Sequence, residues 1–210
     1  MASVTRRRSS SADRRAAVEE RMLSAVEELL RDGATTYTEL GVEQLAVAGG
    51  ISRSGFYLYF RDKVDLLLRL GDRLKSASFE AAYSWDPSGP NGGPEGLARV
   101  YERIFRVYRE RGILMAAINE VAAYDAAARA WWLKSQQRFL DHTVELLVAE
   151  QRAGRTPADV NPVQAAEVIV RGGAELILLR ASSKDDREDA AVAREMAYGY
   201  WYGYYRRPAT

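Results

Sequence analysis

Apolar residues recur at three- and four-residue spacing over most of this chain, and two-residue alternation is nowhere convincing. Ala17, Met22, Leu23, Val26, Leu29 and Leu30 follow that spacing with Glu and Arg between them, as do Val64, Leu66, Leu67, Leu68, Leu70 and Leu74. A period near 3.6 places these side chains on one helical face, so the chain is confined to helices. Punctuation divides it. Gly33 and Gly154 are placed to stop helices, and Asn161-Pro162 to start one as cap and first helical residue. The stretch from Asp86 to Pro94 is the clearest loop. The expected elements are a helix from about Asp13, short helices over 42–48 and 53–60, and a long one capped by Asp62. Further helices are expected over 95–111, 113–124, 126–153, 162–181 and 188–205. The fold class is all-α with about nine helices and no repeat.

The chain has 210 residues, 47% of them apolar and 28% charged, with a formal net charge of +1. A core is affordable, and any anion-binding surface must be a local patch. No cysteine is present, which excludes disulfides, zinc–thiolate sites and cysteine nucleophiles. No apolar run approaches the ~20 residues of a membrane span, and MASVTRRRSSSADRR lacks the apolar stretch of a secretory signal. A cytoplasmic protein with no membrane partner is expected. Residues 1–11 are expected to be a disordered basic arm. Together with Arg14 and Arg15, its Arg6, Arg7 and Arg8 either enter a minor groove or stay solvated. No phosphate loop, metal cluster or Ser-His-Asp set is visible, so no catalytic residue, metal or cofactor is expected. His142, the single histidine, reads as a surface or interface residue.

The run GGISRSGFYLYFRDK, residues 49–63, puts four aromatic rings in five residues between a glycine pair and basic residues. Two short helices joined by a glycine turn form a helix-turn-helix, whose second helix presents its N-terminal residues to DNA bases. Ser52 is the expected cap. Arg53 can reach a base edge or phosphate, Ser54 can hydrogen-bond, and Gly55 permits close approach of the backbone. Phe56 and Phe60 should face inward. Tyr57 and Tyr59 should keep their hydroxyls outward for phosphates. Lys63 opens the next helix, where its charge opposes the dipole, and this placement favours a nearby phosphate. Spacing alone leaves an ordinary aromatic core as the competing reading.

The segment Leu45-Ala46-Val47-Ala48-Gly49-Gly50-Ile51-Ser52, then Gly55-Phe56-Tyr57-Leu58-Tyr59-Phe60 and Lys63, resembles the DNA-binding domain of the TetR family of transcriptional repressors. Gly49 stands where alanine is usual and Gly55 where threonine is common. The resemblance covers about residues 13–75. It implies a three-helix DNA-binding head over 12–62 and an effector-binding and dimerisation domain over 63–210. It further implies a homodimer on a pseudo-palindromic double-stranded operator, released by a hydrophobic small molecule. The two reading heads would lie about 34 Å apart or slightly more.

By approximate alignment to a ligand-responsive member of that family, Ile104, Tyr108, Trp132, Gln136, Phe139, Thr143, Gly172 and Glu175 fall at ligand-lining positions. An ordinary core is the alternative for this aromatic stripe. Gly172-Gly173 weakens an otherwise good helix, so it makes room either for a ligand or for another helix. Glu175 would pair with Arg171, read a ligand donor, or face out. The resemblance also places Leu176–Leu179 and the aromatic run 198–205 in a two-fold helical interface. Two other functions stay open at this point. One is an α-helical enzyme acting on an apolar molecule, the other an architectural DNA binder without effector.

Overall fold

The computed structural model describes residues 11–31, 33–181 and 186–206, and all regular structure among them is helical. The elements are α1 (Ser11–Leu30), a short 3-10 turn (Tyr37–Glu39), α2 (Val42–Ala48), α3 (Arg53–Tyr59) and α4 (Lys63–Tyr83). After the loop come α5 (Pro94–Glu110), α6 (Gly112–Ala122) and α7 (Ala126–Arg152). A continuous rod follows as α8 (Pro162–Glu167), a π-helical turn (Val168–Gly172) and α9 (Gly173–Ala181), and α10 (Asp186–Gly203) closes the fold. Counting that rod once gives nine helices among the described residues. The basic arm expected for residues 1–11 lies outside the described residues, except that Ser11 opens α1.

Local chemistry sets most boundaries. Gly50, at φ +67°, ends α2 in a left-handed conformation that glycine adopts without cost. Its N–H bonds Val47 C=O at 3.0 Å and the Ile51 N–H bonds Ala46 C=O at 2.9 Å, a complete Schellman closure. The Ser52 side chain accepts from the Gly55 N–H at 3.0 Å, and Asp62 accepts from Asp65 N–H at 2.7 Å. Asn161 accepts from Val163 and Gln164 N–H groups. Each cap satisfies amides that the first helical turn leaves without partners.

The head is α1 to α3 packed on the start of α4. Phe56 and Phe60 are fully buried, 5.2 Å apart between ring centroids, with Met22, Leu45 and Leu66 in the same core. Gly49 explains its own departure from alanine: a β-carbon there would sit 2.1 Å from the Met22 sulfur, which fills the space instead. Arg15 donates to the Tyr59 carbonyl at 2.8 Å. That contact ties Arg15 to the end of α3 and withdraws it from the mobile arm in which the sequence placed it.

Lys63, expected at a phosphate, is engaged within the head. Its ammonium donates to the carbonyls of Thr38 at 2.6 Å, Leu40 at 3.0 Å and Tyr37 at 3.5 Å. The buried Tyr37 hydroxyl donates back to the Lys63 carbonyl at 2.6 Å. Three donors are therefore spent inside the head, on carbonyls that the 37–40 turn leaves open. These bonds form a clasp between this turn and α4.

Helix α4 leaves the head and packs into the body against α5, α6 and α7. Gly71 allows this, since a β-carbon there would lie 2.8 Å from both Ile118 and the Trp131 ring. The Trp131 indole N–H donates to Asp72 at 2.7 Å across the same contact. Helix α10 packs along α5, where Glu95 accepts from Arg194 and the Tyr198 hydroxyl, both at 2.6 Å. No described helix is long and apolar enough to cross a membrane.

Because hydrogen bonds to a charged donor contribute about 1.5–3 kcal/mol, Lys63→Met should lower unfolding stability by roughly that amount. Urea denaturation measures it, and an unchanged midpoint would dismiss the clasp.

Candidate nucleic-acid interface and ligand cavity

The two faces of α3 differ sharply. Phe56 points into the core, while Ser52, Arg53, Ser54 and Tyr57 are exposed. Arg53 has 63% of its side chain accessible and lies 3.8 Å from Glu43, also exposed. A solvent-facing pair of that kind contributes little and exchanges readily for another anion. Ser54 hydroxyl lies 3.0 Å from Ser52 hydroxyl. Gly55 is half-buried over the cap, where a β-carbon would come 3.1 Å from the Ser52 oxygen. Tyr57 is 49% exposed, whereas Tyr59 is half-buried against the core. Leu58 is 81% exposed between the two tyrosines, an outward apolar side chain that the sequence reading passed over. Strict helical phase would have placed it outward, two residues from Phe56.

The second site is a partly open cavity of about 100 Å³ in the body. Ile104 and Tyr108 from α5 line it together with Trp132, Gln136, Phe139 and Thr143 from α7. These are six of the eight positions expected from sequence. Gly172 and Glu175 are corrected: both are exposed, and the rod presents Ile169, Val170, Gly173, Ala174 and Ile177 instead. The lining residues Ile169, Gly173 and Ile177 follow one another at four-residue spacing through the π turn at Val168–Gly172, which leaves Gly172 and Glu175 off that stripe. Arg171 lies 3.6 Å from Glu167, one turn back, so the pairing with Glu175 is not made. Gly173, at the end of the turn, is buried with Met196 and Tyr200 at ordinary contact distance from a built β-carbon.

The residue that sequence reasoning missed is Lys75. It is 5% exposed on α4 and borders the cavity. Its ammonium donates to the Tyr108 hydroxyl at 2.6 Å and lies 4.3 Å from the Trp132 ring centroid. Among the described residues, no Asp or Glu lines the cavity. Removal from water disfavours the charge, and the Lys75 ammonium is pulled down to about 7. Its position was legible in principle, since Gly71, Lys75 and Phe79 follow one another by single turns on the inward face of α4. His142 is also drawn inward. Its ring stacks on Tyr83 at 3.8 Å, it borders the cavity, and its Nε2 is buried with no hydrogen-bond partner. Burial holds it below the usual imidazole value.

The Lys75 shift has a stability consequence with a definite sign. In the unfolded chain this amine returns to its ordinary value near 10.5. Between about pH 7 and 10.5 the unfolded state holds the extra proton, so stability rises with pH across that window and is lost as pH falls toward 7. Lys75→Met should melt several degrees above wild type at pH 6.5 and lose this pH dependence. Parallel melting curves for the two proteins at pH 6.5 and 9.5 would rule the assignment out.

No protein-family model matches the chain. The chain is 29% identical over 153 residues to the HTH-type transcriptional regulator EthR of Mycolicibacterium smegmatis, covering 71% of this chain and 66% of that one. It thus spans just under two thirds of that relative's length. Among solved structures, a TetR-like transcriptional regulator from a Rhodococcus species superposes with a TM-score of 0.63 at 20% identity, over 93% of this chain and all of the other. FadR from Bacillus subtilis, solved in complex with stearoyl-CoA, gives a TM-score of 0.65 at 16% identity, over 88% of this chain and 96% of that one. These relatives and neighbours are described as transcriptional regulators, not enzymes. The chain is thus EthR-like in sequence, and its fold is that of the TetR-type regulators.

Proposed function

We propose that the chain is a dimeric, ligand-responsive DNA-binding repressor. The observation that carries this reading is the division of α3, which buries Phe56 and aims Ser52, Arg53, Ser54 and Tyr57 at solvent. A major groove admits a helix in that orientation, with serine and arginine at its leading end. Leu58 adds an apolar contact of the kind that suits a thymine methyl. Tyr59 contributes less than its sequence position implied, because its ring packs on the head. Lys63 acts as a positioning residue for the head through its clasp.

The cavity is the candidate effector site. Its volume of about 100 Å³ is below the range of drug-sized pockets. A larger ligand therefore enters only by spreading α4, α5, α7 and the α8–α9 rod. Helix α4 lines the cavity through Lys75 and Ser78 and anchors the head through Lys63. Spreading thus shifts the head, and an effector that prefers the spread state weakens DNA binding by the same factor by which DNA weakens effector binding.

The outer face of α9 and α10 supports the dimer. Leu179 is 72% exposed, and Leu176 and Tyr202 are exposed as well. Gly199 and Gly203 lie one turn apart with open space where a β-carbon would sit, which permits close approach of a second helix. The aromatic run 198–205 divides, since Trp201 and Tyr205 are buried against Trp85 within the same chain.

A gel shift with the DNA upstream of its own gene tests the reading. Arg53→Ala should weaken binding at least tenfold and Tyr57→Phe about fivefold, a loss of about 1 kcal/mol, with melting temperature unchanged in both. Leu179→Glu should give a monomer by light scattering and lose the shifted band. Wild-type affinity in both α3 variants would remove the interface assignment.

A further inference from the structure

We propose that the cavity takes a small apolar or aryl monocarboxylate, whose carboxylate pairs with the Lys75 ammonium while its body lies among Trp132, Phe139, Ile104 and Ile177. This deepens the reading of the cavity as the effector site and rests on it. Two observations support the acid. Lys75 is buried, and its amine is directed to the cavity-lining Tyr108 hydroxyl at 2.6 Å. Among the described residues, the titratable groups that line the cavity with it are Tyr101 and Tyr108 on α5, His142 on α7, Tyr200 on α10 and Tyr205 just beyond that helix, and none is a carboxylate.

A buried cation without a counterion is costly, and removing it would improve an apolar core. An anion delivered by the ligand supplies the missing partner, in surroundings where water screens the pair poorly. The rings around Lys75, with Trp132 at 4.3 Å and Tyr108 at 5.3 Å, steady the charge while the cavity is empty. An aryl or alkyl body then occupies the apolar wall. A neutral ligand of the same shape gains the wall contacts but leaves the lysine unpaired.

The test compares 3-phenylpropionate, 3-phenylpropan-1-ol and 3-phenylpropylamine, by calorimetry and tryptophan fluorescence, on the full-length wild type and Lys75→Met. At pH 6.5 the acid should bind wild type at least tenfold more tightly than the alcohol, and the amine should bind most weakly. Lys75→Met should lose at least tenfold for the acid and keep the alcohol within about twofold. At pH 8, above the value of about 7 for the free lysine, acid binding should take up close to one proton. That uptake reads out as a heat that changes with the buffer's ionisation enthalpy, and alcohol binding should show none. Equal affinity for acid and alcohol in wild type, undiminished acid binding in Lys75→Met, or binding of none of the three overturns the proposal. Acid binding through Lys75 that leaves the DNA complex intact upholds it and removes the regulatory reading instead.

Discussion

Lys63 and Tyr37 hold each other's backbone. The ammonium reaches three carbonyls of the 37–40 segment, and the tyrosine hydroxyl returns a hydrogen bond to the Lys63 carbonyl. The clasp fixes the direction in which α4 leaves the head. Everything beyond follows from that direction, because α4 runs 21 residues, about 31 Å, and passes the cavity on its way. Lys75 lies three turns and a little more from Lys63, roughly 18 Å along the same axis. One rigid element therefore carries both the head's anchor and the cavity's charge. Salt bridges from α1 to this helix, Arg73–Glu20 and Arg69–Glu19, bind the head to α4 further along. A displacement of α4 at the cavity cannot be absorbed locally without breaking these contacts or moving the head.

The aromatic residues serve two opposite purposes within a few positions of one another. Phe56 and Phe60 consume apolar area inside the head, which frees Tyr57 and Leu58 to face outward. At the C-terminal end, Trp201 and Tyr205 seal the body around Trp85, while Tyr202 remains on the surface. In both places helical phase decides the role, and residue type does not. The same holds for glycine. Gly71 is needed where α4 meets Trp131, whereas a β-carbon on Gly199 or Gly203 would meet nothing among the described residues.

The elements were legible because their ends carry local chemistry. Ser52, Asp62 and Asn161 cap as their side chains require, and Gly33, Gly50 and Gly154 take positive φ where helices stop. The inward placement of Phe56 and Phe60 followed from their four-residue spacing. What the sequence obscured depends on long-range pairing. Lys63 at a helix start reads as a phosphate contact until the carbonyls of a turn 23 residues or more away are seen to converge on it. The register at Gly172 and Glu175 was lost because it came from an approximate alignment, while the stripe that lines the cavity runs through Ile169, Gly173 and Ile177. Lys75 was hidden by its type. Lysine is so rarely buried without a partner that a reading by composition assigns it to the surface even when its phase points inward.

That rarity bears on what the cavity is for. A structural core has no use for an uncompensated ammonium, since methionine would fill the same space without the desolvation cost. The cost falls on the empty, closed state, where the charge is only partly steadied by Tyr108 and the Trp132 ring. A ligand that neutralises the charge lowers the free energy of whichever state can admit it. For any ligand too large for the cavity of about 100 Å³, the gain is realised in the spread arrangement alone. Differential binding of this kind is the sole means by which a ligand moves a conformational equilibrium. Charge and size therefore act in the same direction: the lysine makes the closed, empty state expensive, and the tight walls ensure that relief comes with movement of α4.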